Sequence, residues 1–438
     1  MVPLYLQIGA CFALVLCLLA FISRFDHWKR LGIPYLEPCY VCGHRVFRKF
    51  LFKSYAECLD ILYQKARAQN LRFCGFFQFQ TPILMILDPS IIDRVLVKDF
   101  HHFSNHHDFQ YDQNHIYSHQ LYSLNDSYWK TLRRQMSSMF SATSMRQMAN
   151  RMSSCSEKME QHFEKQYNRT WVRIRFQKLS NLRGGEGEVK LLFTFLQTKY
   201  DVREIEQKLK KSIGCIYAKR NCVSRKPYTK EMMLIGQLIW TFTDAVETSS
   251  GPLSFCFHLL SLNPEHQHKI KAEVDAALRK HSTEVITDDV LKDLKHTEKV
   301  IKETLRLYPA LMPVVRICTK EYKIPDSDTT VPVGTLLVVP IYSIHSDPQH
   351  HSDPREFRPD RFDEESPSKL TPFTYLPFGN GPRSCFGKTP PLINIFTFSE
   401  NITGRVELQG INIVAPRGSK NVLKCLMFHG VKYTGATE

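Results

Sequence analysis

The sequence predicts one large, mostly α-helical domain with a small β-sheet, an α+β fold. Residues 73–79 and 82–87 alternate in side-chain character, as two strands of a small sheet do. Asn263 followed by Pro264 predicts the start of a helix, because asparagine is a capping residue and proline fits the first turn. Apolar residues then recur on one face of that helix: Ile270, Val274 and Leu278.

The first element along the chain is an apolar stretch over residues 2–22, which is long enough to cross a bilayer. Arg24 and two further basic residues follow it, and no lysine or arginine precedes it, so the charge bias places the rest of the chain in the cytosol. We expect a transmembrane anchor over residues 1–23 and one globular domain over residues 24–438. A cleaved signal peptide is the alternative, but no small-x-small site ends the stretch.

Composition narrows the class of protein. With 43% hydrophobic and 12% aromatic residues, the 438-residue chain can bury a large core. Its 13 cysteines form no regular framework, which favours a reducing compartment over a secreted disulfide scaffold. The formal charge of +15 is spread along the chain and is not clustered with aromatics on one element, so we predict no nucleic-acid binding. An anionic membrane face and an acidic partner explain the charge better.

One loop presents a cysteine among three glycines, in the segment from Phe378 to Gly387. Most cysteines are small buried apolar residues, and that is the ordinary interpretation of any one of them. Glycines around a sulfur, however, give the backbone freedom to turn its N–H groups toward a thiolate while a flat ligand lies close. A thiolate on heme iron favours cleavage of the oxygen–oxygen bond, and N–H groups aimed at the sulfur tune its potential.

The spacing Phe-x-x-Gly-x-Arg-x-Cys-x-Gly resembles the heme-binding loop of the cytochrome P-450 superfamily, and it is filled by Phe378, Gly381, Arg383, Cys385 and Gly387. The resemblance implies the P-450 fold behind an N-terminal transmembrane helix. It also implies heme b (iron protoporphyrin IX) as cofactor, with Cys385 as the metal ligand. Phe378, Arg383 and Gly387 would contact the cofactor, and Arg383 would pair with a heme propionate.

Further matches lie upstream in the family's order. Glu303 and Arg306 resemble the Glu-x-x-Arg pair, whose spacing of three puts both side chains on one helix face. Residues 357–362 resemble the family's Phe-x-Pro-Glu-Arg-Phe segment, with Asp360 where glutamate is more usual. By resemblance, Arg361 joins the pair in a buried network behind the heme loop. Alone, such a pair is usually a weak surface salt bridge.

Two more segments resemble the family's donors to the heme propionates. Trp129 and Arg133 match its Trp-x-x-x-Arg helix, one turn apart on one face. Arg316 occupies the place of a strand residue that reaches the same carboxylates. Each is more often a surface cation when it occurs alone.

The segment 244–250 resembles the family helix that crosses the distal side of the heme. Thr248 would hydrogen-bond dioxygen, and Glu247 would help to deliver protons. Asp244 and Ala245 replace a small residue and a glycine of the family pattern. The proline at position 252 lacks an N–H and predicts a bend beside Thr248.

Other cysteines and histidines carry weaker patterns. The pair Cys39 and Cys42, with His44, is similar to a c-type heme attachment site, but the histidine comes one residue too late. Six histidines could in principle gather a metal, but we expect them to line a substrate-contacting loop before the Trp129 helix: His101, His102, His106, His107, His115 and His119.

The resemblance implies a heme-dependent monooxygenase of the endoplasmic reticulum membrane, closest to the branch that includes insect family 6 and vertebrate family 3. It would insert one atom of O2 into a small lipophilic substrate, with electrons from NADPH through a flavoprotein reductase. Residues 169–230 are shorter than the family's and residues 388–438 diverge, with prolines soon after Gly387. The alternatives are a catalytically inactive or truncated heme-binding remnant and a heme-thiolate isomerase or dehydratase.

Overall fold

The computed structural model describes residues 23–39, 43, 44, 46, 47, 54–106, 116–137, 237, 248, 249, 251–283, 287–363 and 370–385. The predicted anchor, the shortened segment 169–230 and the divergent tail 388–438 lie outside these residues, apart from Ser23. Within the described part of the chain, no helix has both the length and the apolar character that a bilayer crossing requires.

Helices predominate, and a small sheet lies among them. In chain order the helices and strands of the described residues are α1 (His27–Arg30), α2 (Tyr55–Ala68), β1 (Phe73–Gln78), β2 (Thr81–Ile86), α3 (Pro89–Asp93), α4 (Asp126–Ser137), α5 (251–262), α6 (Pro264–Lys280), α7 (Asp288–Asp293), α8 (Lys295–Leu307), β3 (Pro313–Ile317), β4 (Tyr322–Lys323), β5 (Thr330–Val331), β6 (Leu336–Pro340) and α9 (Ile341–His345).

The larger sheet has the strand order β1-β2-β6-β3 and is mixed. Strands β1 and β2 form an antiparallel hairpin, with Gln78 opposite Thr81 at the turn, and both are buried along most of their length and not on alternate residues as predicted. Strand β6 pairs parallel to β2 and antiparallel to β3, so the sheet joins a hairpin within the first hundred residues to strands between residues 313 and 340. The prediction of an α+β fold with a small sheet is confirmed.

Two apolar clusters hold these elements. The first lies between α2 and the sheet and includes the fully buried Trp28, Tyr63 and Phe77. The second joins α5, α6 and α8 through residues such as Leu260, Ile270 and Ile301. Burial of such side chains contributes about 1.5–3 kcal/mol each. The second cluster fixes α8, which carries Glu303 and Arg306.

Helix α6 begins at Pro264 as predicted, with Asn263 at the cap position. The predicted capping bond is absent, because the Asn263 amide instead donates to the Leu259 carbonyl at 2.7 Å and closes the preceding helix. Helix α8 is capped from another element. The Glu273 carboxylate of α6 accepts from the backbone N–H groups of His296 and Thr297 at 2.6 and 2.9 Å. This carboxylate satisfies donors that a helix start leaves unpaired.

Candidate heme-binding site

The cysteine loop is a sequence of tight turns closed on itself. The Cys385 N–H donates to the Phe378 carbonyl at 2.9 Å, and the Ser384 N–H donates to the Gly381 carbonyl at 2.9 Å. Phe378 packs partly buried against the second apolar cluster, so one end of the loop is anchored in the helical core. Cys385 itself is exposed. The loop therefore presents its sulfur outward from a fixed base.

Two glycines of the loop have a backbone conformation that L side chains rarely adopt. Gly379 has φ +66° and Gly381 has φ +74°. A Cβ on Gly381 would lie 1.9 Å from the Leu96 carbonyl oxygen, whereas a Cβ on Gly379 would meet only Val314, at 3.8 Å. Position 381 therefore requires glycine for two reasons. Its φ is positive, and the cysteine loop lies directly against the Leu96 carbonyl of the 94–98 helical turn.

We expect Gly381→Ala to disrupt this loop much more than Gly379→Ala does. Both substitutions impose the left-handed backbone cost of about 1–2 kcal/mol, but only the first adds a clash with a backbone carbonyl. Thermal unfolding and heme content of the two variants, measured side by side, check this. Equal losses in both would show that φ alone matters and that the contact with Leu96 is tolerant.

Arg383 ties the loop to a distant segment. Its guanidinium donates to the carbonyls of Ser104, Tyr122 and Leu124 at 2.9, 3.2 and 2.7 Å, and it lies 4.2 Å over the Trp129 ring. Of the five N–H groups of an arginine, three are thus directed at carbonyl oxygens, and two remain to donate to an anion. The structure gives Arg383 a loop-fixing contact that the resemblance to a propionate ligand did not include.

Arg133 approaches the loop from helix α4, one turn after Trp129. Its Nη2 donates to the Ser384 carbonyl at 2.6 Å, next to Cys385. Burial lowers the pKa of Arg133, while the charge of Cys385 acts in the opposite direction. Both groups lie close enough to interact electrostatically, so Arg133 favours a thiolate at Cys385.

Arg316 completes the cationic group from strand β3. It faces inward and is only 2% exposed, and its Nη1 lies 3.1 Å from His106 Nε2. The bridge between Asn105 and Ile317 sets this register. Two buried atoms here have no hydrogen-bond partner among the described residues: Arg316 Nε and His106 Nδ1. We call Arg133, Arg316 and Arg383, with His106, the cationic cluster.

The cationic cluster carries an electrostatic cost. Burial lowers the pKa of Arg316 to about 10, and burial together with Arg316 lowers the pKa of Arg383 to about 9. Within the described part of the chain, neither Arg316 nor Arg383 has an ion pair with a carboxylate. Buried charges without counterions are destabilising, so the cluster favours a bound anion. The two carboxylates of a heme beside a cysteine ligand fit this donor set.

The cationic cluster includes one member that sequence reasoning missed. We expected His106 to line a substrate loop, but it is buried, packs 4.2 Å from the Tyr122 ring and contacts Arg316. Burial, reinforced by Arg316 and Arg383, lowers its pKa well below the usual histidine range, so His106 is neutral and can donate a hydrogen bond. The available signal in the sequence was an arginine at an inward-facing strand position, Arg316. The sequence did not show that its partner is His106.

The predicted buried network forms around Glu303. Its carboxylate accepts from Arg306 Nε and Nη2 at 2.7 and 2.9 Å, and from Arg361 Nε at 3.0 Å. The Arg358 N–H adds a fourth bond at 3.0 Å. Arg306 also donates to three carbonyls, those of His345, Pro354 and Glu356. Glu303 and Arg306 are fully buried, so each charge depends on these partners.

The remaining predicted site residues are described only in part. Thr248 is helical and exposed, on the turn before α5, whereas Glu247 and Gly387 lie outside the described residues. The same holds for Cys42, His107 and His115. Across the described ranges, no three His, Cys, Asp or Glu side chains gather in a way that could hold a metal ion.

A mostly helical fold with a cysteine loop beside a cationic cluster is consistent with the class of heme-thiolate proteins. Comparison with known proteins agrees. The family profile described as Cytochrome P450 matches residues 195–402. Cytochrome P450 6k1 of Blattella germanica is 26% identical over 85% of each chain. Probable cytochrome P450 6a13 of Drosophila melanogaster is 27% identical over 83% of this chain and 85% of its own. Cytochrome P450 3A11 of Mus musculus is 27% identical over 85% of this chain and 84% of its own.

The chain is similar to cytochrome P450 proteins over most of its length. Its relatives include the insect family 6 and mouse 3A proteins, which confirms the predicted branch. This similarity implies a heme cofactor and monooxygenase chemistry.

Proposed function

We propose that this chain is a membrane-anchored heme-thiolate monooxygenase of the endoplasmic reticulum. It takes heme b on Cys385 and inserts one atom of O2 into a small lipophilic substrate. NADPH supplies the electrons through a separate flavoprotein reductase. Residues 1–23 form the anchor, and residues 24–438 form the catalytic domain in the cytosol.

The observation that carries this proposal is the pairing of an exposed cysteine with the cationic cluster, of which Arg316 and His106 are buried. The Arg133 bond to the Ser384 carbonyl joins the two directly. A thiolate-bound heme needs a thiolate ligand for its iron and cationic groups for its two carboxylates. The chain offers a separate set of residues for each of these needs. Among the described residues, neither Arg316 nor Arg383 forms an ion pair with a carboxylate, which favours such an anion over a structural role alone.

Each residue of the site has a specific task in this proposal. Bound heme supplies the activation of dioxygen at its iron. Cys385 holds the cofactor, and Arg133 beside it stabilises the thiolate form of the sulfur. Arg316 and Arg383 bind and orient the propionates, with Trp129 stacked under Arg383. Thr248 offers a hydroxyl on the opposite wall, and Glu247 moves protons toward it.

The decisive experiment is an absorption spectrum of the reduced, carbon-monoxide-treated full chain. A red-shifted band of thiolate-ligated heme is the expected result. Absence of this band in soluble, folded protein would favour the inactive remnant. NADPH consumption with added reductase then separates a monooxygenase from an isomerase or dehydratase, because only the monooxygenase needs external electrons.

We expect Thr248→Ala to keep heme but to uncouple electron use from product formation. Without the hydroxyl, proton delivery to dioxygen is less selective. More of the dioxygen that is reduced with NADPH-derived electrons is then released as hydrogen peroxide. The expected loss of coupling is at least about tenfold, against the roughly 10²–10⁴-fold that a positioned proton-transfer group typically contributes. Peroxide and product are measured against NADPH consumed.

Thr248→Ser retains the hydroxyl and should retain coupling. Ser249→Ala, at the next helical position, is the matched control and should behave as the unmodified chain. Unchanged coupling in Thr248→Ala would remove Thr248 from proton delivery.

A further inference from the structure

His345, at the end of α9, bridges the Glu303 network and the cysteine loop. It is fully buried. Its Nδ1 lies 3.2 Å from the Arg306 carbonyl oxygen, and its Nε2 lies 2.8 Å from the Leu376 backbone nitrogen. Its own carbonyl accepts from Arg306 Nη1 at 2.8 Å. His345 therefore contacts Arg306 twice and the start of the loop once.

The two ring contacts require one tautomer of His345. A carbonyl oxygen can only accept, so Nδ1 carries the hydrogen that points at Arg306. A backbone N–H can only donate, so Nε2 carries none where it meets Leu376. Burial, with His351 and Arg306 nearby, lowers the pKa of His345 well below the usual range, which is consistent with a neutral ring. The ring thus acts as a rigid donor–acceptor spacer.

Among the described residues, two other side-chain hydrogen bonds attach the segment before the loop to distant elements. Neither of them reaches Leu376, as the His345 bond does. The Tyr375 hydroxyl donates to the Lys302 carbonyl at 3.1 Å, and the His351 ring donates to the Thr374 carbonyl at 3.1 Å. Both act upstream of Leu376. Leu376 is where the loop begins, because its carbonyl accepts from the Gly379 N–H at 3.0 Å.

A continuous path follows from these contacts. Arg306 contacts His345, and His345 contacts the Leu376 amide. The turn from Leu376 to Gly379 sets Phe378, whose carbonyl accepts the Cys385 N–H at 2.9 Å. A shift of the Leu376 amide would therefore shift the acceptor that holds the ligand's own backbone.

We propose that His345 is a positioning residue that sets the cysteine loop on the buried Glu303 network and so fixes the sulfur of Cys385 for thiolate ligation. The expected effect on thiolate ligation rests on the proposed function. The hydrogen-bonded link from His345 to the loop does not depend on heme. The two parts can therefore be tested separately.

Two amide substitutions separate the two ring contacts. In His345→Asn the amide reaches the position of Nδ1 and keeps a donor for the Arg306 carbonyl, but it is too short for Leu376. In His345→Gln the amide reaches the position of Nε2 and keeps an acceptor for the Leu376 N–H. His44→Gln is the matched control. His44 is also buried and its Nδ1 accepts from a backbone N–H, that of Phe77 at 3.1 Å, in the hairpin region.

The first measurement is hydrogen exchange of the Cys385 amide in the full chain. We expect it to accelerate roughly five- to tenfold in His345→Asn, the factor that corresponds to one buried hydrogen bond. His345→Gln and His44→Gln should stay near the unmodified chain. Equal exchange in the two His345 variants would overturn the link through Leu376, since these variants differ in that contact.

The second measurement is the carbon monoxide spectrum of the same variants loaded with heme. We expect His345→Asn to move part of the heme from the red-shifted, thiolate-ligated band to the unshifted band, with thermal stability close to that of His345→Gln. A purely structural His345 would lower heme content in both variants and leave the band position unchanged, which would refute the positioning role. An unmodified chain without the red-shifted band would refute the proposed function, and the exchange measurement would still decide the link.

Discussion

We expect Cys385→Ser to abolish the red-shifted carbon monoxide band of the full chain. The hydroxyl of serine remains protonated and does not replace a thiolate on heme iron, so the electronic effect behind the band is lost. The expected loss is complete, because Arg133 lies close enough to Cys385 to favour its thiolate form, and a neutral hydroxyl cannot take that place. Absorption spectra of the reduced protein, at equal heme content, measure the effect.

The control for this variant removes thiols elsewhere. Cys39→Ser combined with Cys42→Ser should leave the band intact, because both cysteines belong to the N-terminal region, where the Cys39 backbone bridges to Gly43. Loss of heme in the double variant, or a retained band in Cys385→Ser, would contradict the assignment of the ligand.

Glu303→Gln should destabilise the fold by about 3–5 kcal/mol, the usual cost of breaking a buried ion pair by removing one partner. Two guanidinium groups, those of Arg306 and Arg361, would then share a neutral amide in a site that excludes water. Urea unfolding and the yield of folded protein measure the loss. We also expect heme content to fall, because Arg306 contacts His345, which leads to the loop.

Helix α8 supplies the matched control for Glu303. Glu298 pairs with Lys302 at 2.8 Å on the same helix, but both side chains are about a third exposed. Glu298→Gln should cost under about 0.5 kcal/mol, as is usual for exposed pairs at this spacing. If the two variants lost equal stability, the buried network would be no more important than a surface ion pair.

Much of the site could be predicted because its signals are local. The cysteine loop, the Glu303 and Arg306 spacing and the Trp129 and Arg133 spacing each lie within ten residues. A turn or one helix face therefore determines which of these side chains lie together. The hairpin of β1 and β2 was predictable for the same reason, since its pairing spans only fourteen residues, from Phe73 to Ile86.

The partners of the buried polar groups could not be predicted in this way. Arg383 donates to the Ser104 carbonyl across 279 positions, and Arg316 meets His106 across 210. A backbone carbonyl carries no mark in the sequence, so the loop-fixing role of Arg383 was not visible. His106 was assigned to a substrate loop because its neighbours in sequence are other histidines, whereas its neighbours in space are arginines.

The sequence alone was enough to recognise the cysteine loop, the basic residues around it, the periodicity of helices and strands, and the resemblance to a protein family. Each depends on residue type and short spacing, which chain geometry converts directly into local structure. The tertiary structure alone decided that Gly381 lies against the Leu96 carbonyl, that Glu273 caps another helix, and that His345 joins Arg306 to Leu376. Those contacts depend on how two apolar clusters bring distant segments together, because buried donors and acceptors must find whatever partner the packing places beside them.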